Sequence, residues 1–214
     1  MIRVLCPSRG NPAAAHDAAD ALTATAVLPT TSFLAVTDED DPLHVQYDMP
    51  QLIVPTAAGG NMNNALNYAA LREAADIIGF IGDDHRFRTK GWDATIEATL
   101  ARPGIAYGDD LGQHEALPTA VFISRVIVQA LGWYGLPGAY HLYLDDTWKR
   151  LGEEAGCLHY LPDVIIEHMH PAFGKGVWDA NHILAQNAAR IAHDYAIYQA
   201  WDSAPDVARV RAVL

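Results

Sequence analysis

Four groups of residues in this sequence carry side chains of the kind that bond-making chemistry uses. Asp83-Asp84-His85 sets two carboxylates and an imidazole in consecutive positions, directly after the apolar run Ile77-Ile78-Gly79-Phe80-Ile81. A divalent cation bridging a diphosphate needs a few hard oxygen ligands, tolerates imidazole, and keeps open positions for phosphate oxygens. Asp83 and His85, at i and i+2, can reach one ion; a solvated strand-end turn with Asp83 capping the backbone is the alternative. Glu167-His168-Met169-His170 follows a second apolar run, and His168 or His170 can supply a third ligand to the same ion. Lys175, between Gly174 and Gly176, offers a phosphate a point charge. With ten histidines in the chain, a surface or satisfied role for either His168 or His170 stays open.

The third group is Asp145-Asp146. These acids favour a helix start through the macrodipole, and one of them has the chemistry of a general base for an acceptor hydroxyl. The fourth follows the first two apolar runs of the chain. Pro7, Ser8 and Arg9 come after the first and Asp38-Glu39-Asp40 after the second. A carboxylate such as Asp38 can accept hydrogen bonds from a ribose hydroxyl or a base imide, and Arg9 can reach a phosphate or pair with the acidic cluster.

The elements that must position these groups alternate between strand-length apolar runs and longer helical periods, which predicts an α/β layered fold with a largely parallel sheet. Ile2–Cys6 reads as a buried strand. Asn11-Pro12 then opens a helix to about Leu28, with asparagine as cap and proline at the first helical position. Strands follow at 32–37 and 51–55. Met62, Ala65, Leu66, Ala69 and Ala70 form a helical stripe whose start carries Asn61, Asn63 and Asn64, placed to face a ligand. The span 76–82 is the strongest strand signal, and its charges lie at the carboxyl end, where open α/β sheets bind ligands. A helix after Gly91-Trp92, strands at 105–107 and 119–124, a helix at 143–155 and a strand at 164–168 complete the pattern. The remainder reads as helical, with Leu184, Ala188, Ile191, Tyr195 and Tyr198 on one stripe.

Composition sets limits on function. With 214 residues, half of them apolar, the chain can bury a large core, and we expect one domain over 1–214. A formal charge of -12 argues against a broad basic face for nucleic acid, so bound phosphates need local help. Cys6 and Cys157 are too few for a disulfide framework and lack zinc-site spacing. The N-terminus has no secretory layout and no apolar run approaches the roughly 20 residues of a membrane span. A cytoplasmic protein is the expectation.

Taken in order, these pieces resemble the GT-A glycosyltransferases, particularly those of family 2, over about Ile2 to Asp179. The resemblance rests on Cys6-Pro7-Ser8-Arg9-Gly10-Asn11-Pro12 after the first strand, the acidic end of the second, the Asn-rich helix, and Ile-Gly-Phe-Ile-Gly-Asp-Asp-His at the DXD position. It implies a mixed, mostly parallel central sheet flanked by helices. Residues 1–110 would form the nucleotide-sugar half, 111–180 the acceptor and catalytic half, and 181–214 C-terminal helices. The family's aspartates hold Mn2+ or Mg2+ on the donor diphosphate, and a later histidine completes the shell.

The Asp-Asp-His form is similar to the Asp-X-His variant of polypeptide N-acetylgalactosaminyltransferases. This implies Asp83, His85 and one of His168 or His170 as metal ligands, with Asp84 turned to the donor's ribose or sugar. The donor contacts implied are Pro7, Ser8, Arg9, Asp38, Asn61, Asn64, Asp83, Asp84 and Lys175. Gly132-Trp133-Tyr134, Asp145-Asp146 and Arg150-Leu151 resemble the family's Gly-Gly-Phe and Glu-Asp-X-Asp-Leu-X-X-Arg region. Aligned on Arg150, Asp146 takes the second aspartate's place and Leu144 stands where the usual base would be, so Asp145 or Asp146 is the candidate base. Trp92, Trp133 and Tyr134 are candidates to line an acceptor cleft by stacking, with core packing as the alternative.

The implied activity is metal-dependent, inverting transfer from a nucleotide sugar, UDP-linked by preference, to an acceptor hydroxyl. The compact build resembles stand-alone transferases acting on glycans, proteins or, in some bacteriophages, modified DNA bases. A nucleotidyltransferase is the competing reading, but it predicts a glycine-rich phosphate loop after the first strand, which Pro7 to Pro12 fits poorly. Asp83 and His85 argue against a non-catalytic module.

Overall fold

The computed structural model describes residues 1–214. Eight strands form one curled sheet: β1 (Ile2–Pro7), β2 (Thr31–Asp38), β3 (Gln51–Val54), β4 (Ile77–Phe80), β5 (His85–Phe87), β6 (Ile105–Asp109), β7 (Val121–Ser124) and β8 (Leu158–His168). Their spatial order is β3-β2-β1-β4-β7-β6-β8-β5. The β1–β2, β2–β3, β1–β4 and β6–β8 pairs are parallel, while β7 and β5 run against their neighbours. The sheet is therefore mixed and mostly parallel, as the α/β pattern implied. Because β1, β2 and β4 run the same way, their carboxyl ends lie side by side and present Ser8, Asp38 and Asp83 to one crevice.

Helices cover both faces: α1 (Pro12–Thr25), α2 (Met62–Ala70), α3 (Trp92–Thr99), α4 (Arg125–Leu131), α5 (Leu144–Ala155), α6 (Ala180–Ala185), α7 (Ala188–Ala200) and α8 (Ala204–Arg211). One core layer joins Leu5, Leu66 and Ile78 to Trp148 and Val210. The other joins Val4, Ala18 and Phe33 to Trp92 and Phe122. Side chains alternate across a strand, so β1 feeds both layers and reads as a continuous apolar run. No helix is long and apolar enough to cross a membrane.

Three elements depart from the sequence reading. β5 is only three residues long, too short for a periodic signal. The tail is three separate helices, each with its own cap residue, not one stripe. β8 starts at Leu158, well before the predicted 164, because it changes partner midway. Its first half pairs with β6 through Leu161, the register then jumps so that Asp109 meets Ile165, and the last residues pair with β5. Pro162 falls in that jump, where a missing N–H breaks no ladder bond. Gly108 opposite it is required, since a Cβ there would lie 2.2 Å from the Val164 carbonyl oxygen.

Candidate active site

The turn between β4 and β5 sets the first carboxylates. Gly82 allows it: a Cβ would sit 2.6 Å from Asp84 Oδ1 and 3.2 Å from His85 Nδ1. The His85 N–H closes the turn on the Gly82 carbonyl. Within that turn strand alternation is lost, and the two aspartates diverge. Asp83 points to the first strand loop, where Ser8 Oγ donates to its Oδ2 at 2.5 Å and also meets Tyr47 Oη at 3.1 Å. Asp84 points across the sheet edge to the histidines.

Register brings the histidines in. His85 and His168 are directly paired on antiparallel β5 and β8, so their rings stack at 4.1 Å and 17°. His168 Nε2 lies 3.0 Å from Asp84 Oδ2, His85 Nδ1 lies 3.3 Å from Asp84 Oδ1, and His182 Nε2, from α6, lies 3.5 Å from Asp84 Oδ2. Asp84, His85 and His168 each offer a ligand atom within 4.8 Å of the others. An oxygen with imidazoles suits Mn2+ or a like cation, and His168 Nδ1 is buried with no protein partner. Asp84 is thus the carboxylate that meets these histidines, where the spacing had paired Asp83 with His85, while both aspartates line the same cavity. The i, i+2 rule assumed a continuing strand, and the chain turns there instead. His170 sits farther out, edge-on to His168 at 5.2 Å, with its Nδ1 accepting from the Ala172 N–H.

The charges respond to this crowding. Burial pushes the Asp83 carboxyl up to about 6, against the opposing bond from Ser8. Burial also acts upward on Asp84, but the hydrogen bonds from His168 and then His182 outweigh it and hold that carboxyl far below the usual range. His182 is raised to about 9, first by its bond to Asp84 and also by Asp179. His168 is lowered by burial and then by the neighbouring His85.

A cavity of about 360 Å³ opens beside these groups, lined by Asn11, Asp83, Asp84, Arg86, Lys175 and His182 among others. Lys175 Nζ pairs with Glu167 at 3.0 Å and Arg88 pairs with the same carboxylate at 2.9 Å. Arg9 pairs with Asp38 at 3.1 Å and Asp40 at 2.5 Å. Asp38 keeps its other oxygen buried and without a partner, against Gly59, whose missing side chain makes the room. Asn61 caps α2 by accepting from the Asn64 N–H, and Asn64 donates to the Gly59 carbonyl, so both build the turn beside Asp38.

On the opposite side, α5 carries Asp145 and Asp146 in its first turn. Tyr143 just before them holds φ of 63°, a left-handed conformation unusual for a tyrosine. Asp194 of α7 secures this loop, its buried carboxylate accepting the N–H groups of Tyr140, His141 and Leu142 at 2.8 to 2.9 Å. Asp145 is raised to about 8 by burial, then by Asp146, Asp110 and Asp84. Asp146 is raised by burial, with Lys149 opposing.

The aromatic candidates for the acceptor cleft are core residues instead. Trp92 is fully buried, stacked on Phe87 at 4.2 Å and beside Phe122. Tyr134 is fully buried and Trp133 nearly so, both against Trp148. A sequence shows an aromatic ring but not which side of a helix or sheet it enters. The solvent-facing ring at the site is Trp178, edge-on to His170 and His182.

Two groups escaped the sequence reading. Asp110, a second strand-end Asp-Asp pair with Asp109, accepts three backbone N–H groups and the Thr119 hydroxyl, and Thr119 in turn meets His85 Nε2 at 3.4 Å. Its carbonyl also accepts the His168 N–H at 3.0 Å. The doubled acid after Tyr107-Gly108 was its available signal. His182 lies in a segment read only for its helical stripe, and nothing local marks it.

No protein-family model and no characterised protein sequence matches the chain. Solved structures do resemble it. The mannosyltransferase PcManGT from Pyrobaculum calidifontis, in complex with GDP-Man and Mn2+, superposes with a TM-score of 0.68 at 13% identity, covering 99% of this chain and 69% of that one. Glucosyl-3-phosphoglycerate synthase from Mycobacterium tuberculosis, with Mn2+, UDP and phosphoglyceric acid, gives 0.62 at 14% identity over 95% of this chain and 80% of that one. TarS from S. aureus, with UDP-GlcNAc, gives 0.58 at 12% identity over 78% and 60%. All three are GT-A glycosyltransferases, and this chain has the GT-A fold.

Proposed function

We propose that the protein is a metal-dependent glycosyltransferase that moves a sugar from a nucleoside-diphosphate donor, UDP-linked by preference, to an acceptor hydroxyl with inversion. One observation carries this reading: Asp84, His85 and His168 converge at the strand-end crevice of a GT-A sheet, beside Ser8 and Asp83 and beneath a cavity containing Lys175. Two of the similar structures hold Mn2+ and all three hold a nucleotide or nucleotide sugar, which supports the donor class. The division into a nucleotide half (1–110), an acceptor half (111–180) and C-terminal helices (181–214) follows the same reading.

The residues fit a hard or borderline cation. Asp84 and His168 would hold it, with His85 fixed behind them. Bound there, it would neutralise charge building on the departing diphosphate. The chain's own residues do the rest. Asp38 offers its unpartnered oxygen to the nucleoside, with Pro7, Ser8, Asn61 and Asn64 shaping that end of the crevice. Lys175 and Arg86 line the cavity as cations for phosphate oxygens. On the other side, Asp145 accepts the acceptor's hydroxyl proton, with Asp146 next to it tuning that carboxyl. Electrostatic stabilisation placed before the reaction is the usual major contribution in such sites.

Calorimetric titration with UDP-sugars and GDP-sugars tests donor binding. In Mn2+ at least one nucleotide sugar is expected to bind in the micromolar range, at least about tenfold more tightly than in EDTA. Equal affinity in EDTA would remove the metal from the account.

A further inference from the structure

We infer that His182, carried by α6, is itself a ligand of the cation, completing a shell of Asp84, His168 and His182, while His85 acts as the positioning residue behind it. This rests on the metal dependence proposed above and assigns the ligands within it. Three observations carry it.

The first is convergence. His168 Nε2 and His182 Nε2 approach the same oxygen, Asp84 Oδ2, at 3.0 and 3.5 Å. The second is orientation. His182 Nδ1 bonds Asp179 Oδ1 at 2.6 Å, and Asp179 is itself fixed by the His182 N–H at 2.9 Å and by Asn11 Nδ2 at 3.2 Å. A carboxylate gripping one ring nitrogen while the other aims at an acidic site is the arrangement that metal-binding histidines use to fix tautomer and direction. The third is occupancy. His85 Nδ1 accepts the Gly82 N–H at 3.1 Å and its Nε2 faces Thr119 Oγ1 at 3.4 Å, so both nitrogens already serve the turn and the Asp110 network. His182 Nε2 meets nothing but Asp84.

The consequence reaches beyond one ligand. His182 belongs to the segment that lines the cavity with Lys175, Gly176, Val177 and Asp179. That segment is tied to the first strand loop through Asn11–Asp179 and through Asn181 Nδ2, which donates to the Arg9 carbonyl at 2.7 Å. A cation held by His182 would add one more tie between this segment and the donor crevice.

Mn2+ binding to the full chain, followed by electron paramagnetic resonance of the free ion, tests this without any turnover. His182→Ala and His182→Gln are expected to weaken Mn2+ at least about tenfold, and pulsed spectra should lose one imidazole nitrogen coupling relative to the native protein. Protease cleavage within 174–185, slowed by Mn2+ in the native protein, should not be slowed in the variants. If both variants keep native affinity and the full set of couplings while Asp84→Ala loses binding, the metal reading stands and the assignment of His182 is wrong. If the native protein binds no Mn2+, with or without UDP, both fall together.

Discussion

Asp84→Ala is expected to lower metal-dependent nucleotide-sugar turnover by about three orders of magnitude, equivalent to roughly 4 kcal/mol of transition-state stabilisation. The size follows from position. Asp84 is the one carboxylate on which His168, His85 and His182 all converge, so its loss leaves imidazoles with no anionic ligand among them. The backbone of the turn should survive, because the Asp84 carbonyl still accepts the Met169 N–H at 2.8 Å and Gly82 still closes on His85. Asp83→Ala makes the contrast. It removes the acceptor for Ser8 Oγ and should weaken donor binding while leaving Mn2+ affinity nearly native. Mn2+ affinity and steady-state turnover on the two variants check this. A larger loss of Mn2+ affinity in Asp83→Ala than in Asp84→Ala would restore the ligand that spacing alone suggested.

Asp145→Asn is expected to cut transfer by about 10²- to 10⁴-fold, the usual worth of a placed general base, with donor affinity unchanged. The pH profile carries a further signature. Asp145 works as the carboxylate, and burial followed by Asp146 raises its pKa to about 8, so kcat/KM should climb with pH until the group has ionised. Asp146→Asn removes a neighbouring negative charge. Ionisation of Asp145 then becomes easier, its pKa falls, and the rising limb moves to lower pH. Stability falls over the same range: a carboxyl raised above its unfolded value of 3.8 costs stability progressively as pH rises from about 4 to 8, so Asp145→Asn should flatten that decline. An unmoved limb in Asp146→Asn, or full transfer by Asp145→Asn, would place the base elsewhere.

What the sequence made legible was the part governed by local rules. The run 77–81 ending in Asp83-Asp84-His85 could only be a buried strand with charges at its carboxyl end, and parallel packing of such strands dictates a shared crevice. The same logic put Ser8, Asp38 and His168 at strand ends, where the fold has them. The errors came where geometry changes within a residue or two, or where a contact spans the chain. Strand alternation paired Asp83 with His85, whereas the turn at Gly82, which has no signal beyond the glycine, brings Asp84 to the histidines. β8 hid its first half behind Pro162. Trp92, Trp133 and Tyr134 have the right chemistry for stacking on a sugar, yet each is committed to packing. His182 meets Asp84 across nearly a hundred residues, through a capped helix of six residues that periodicity cannot distinguish from its neighbours.

Asp110 shows a related limit. Its acid pair looks like any strand-end turn, and its role exists only through Thr119 and the backbone of His168. Outer residues that hold a site's side chains in place are part of how such sites work, and they seldom carry a motif of their own.

Incubation of the full chain with UDP- and GDP-sugars in Mn2+, followed by separation of the nucleotides released, tests whether the protein transfers sugar from a nucleotide donor. Nucleoside diphosphate is expected from at least one donor, and both EDTA and Asp84→Ala should stop its release. No Mn2+-dependent release from any nucleotide sugar, with pyrophosphate released instead in a parallel incubation with a nucleoside triphosphate and a sugar phosphate, would overturn this reading.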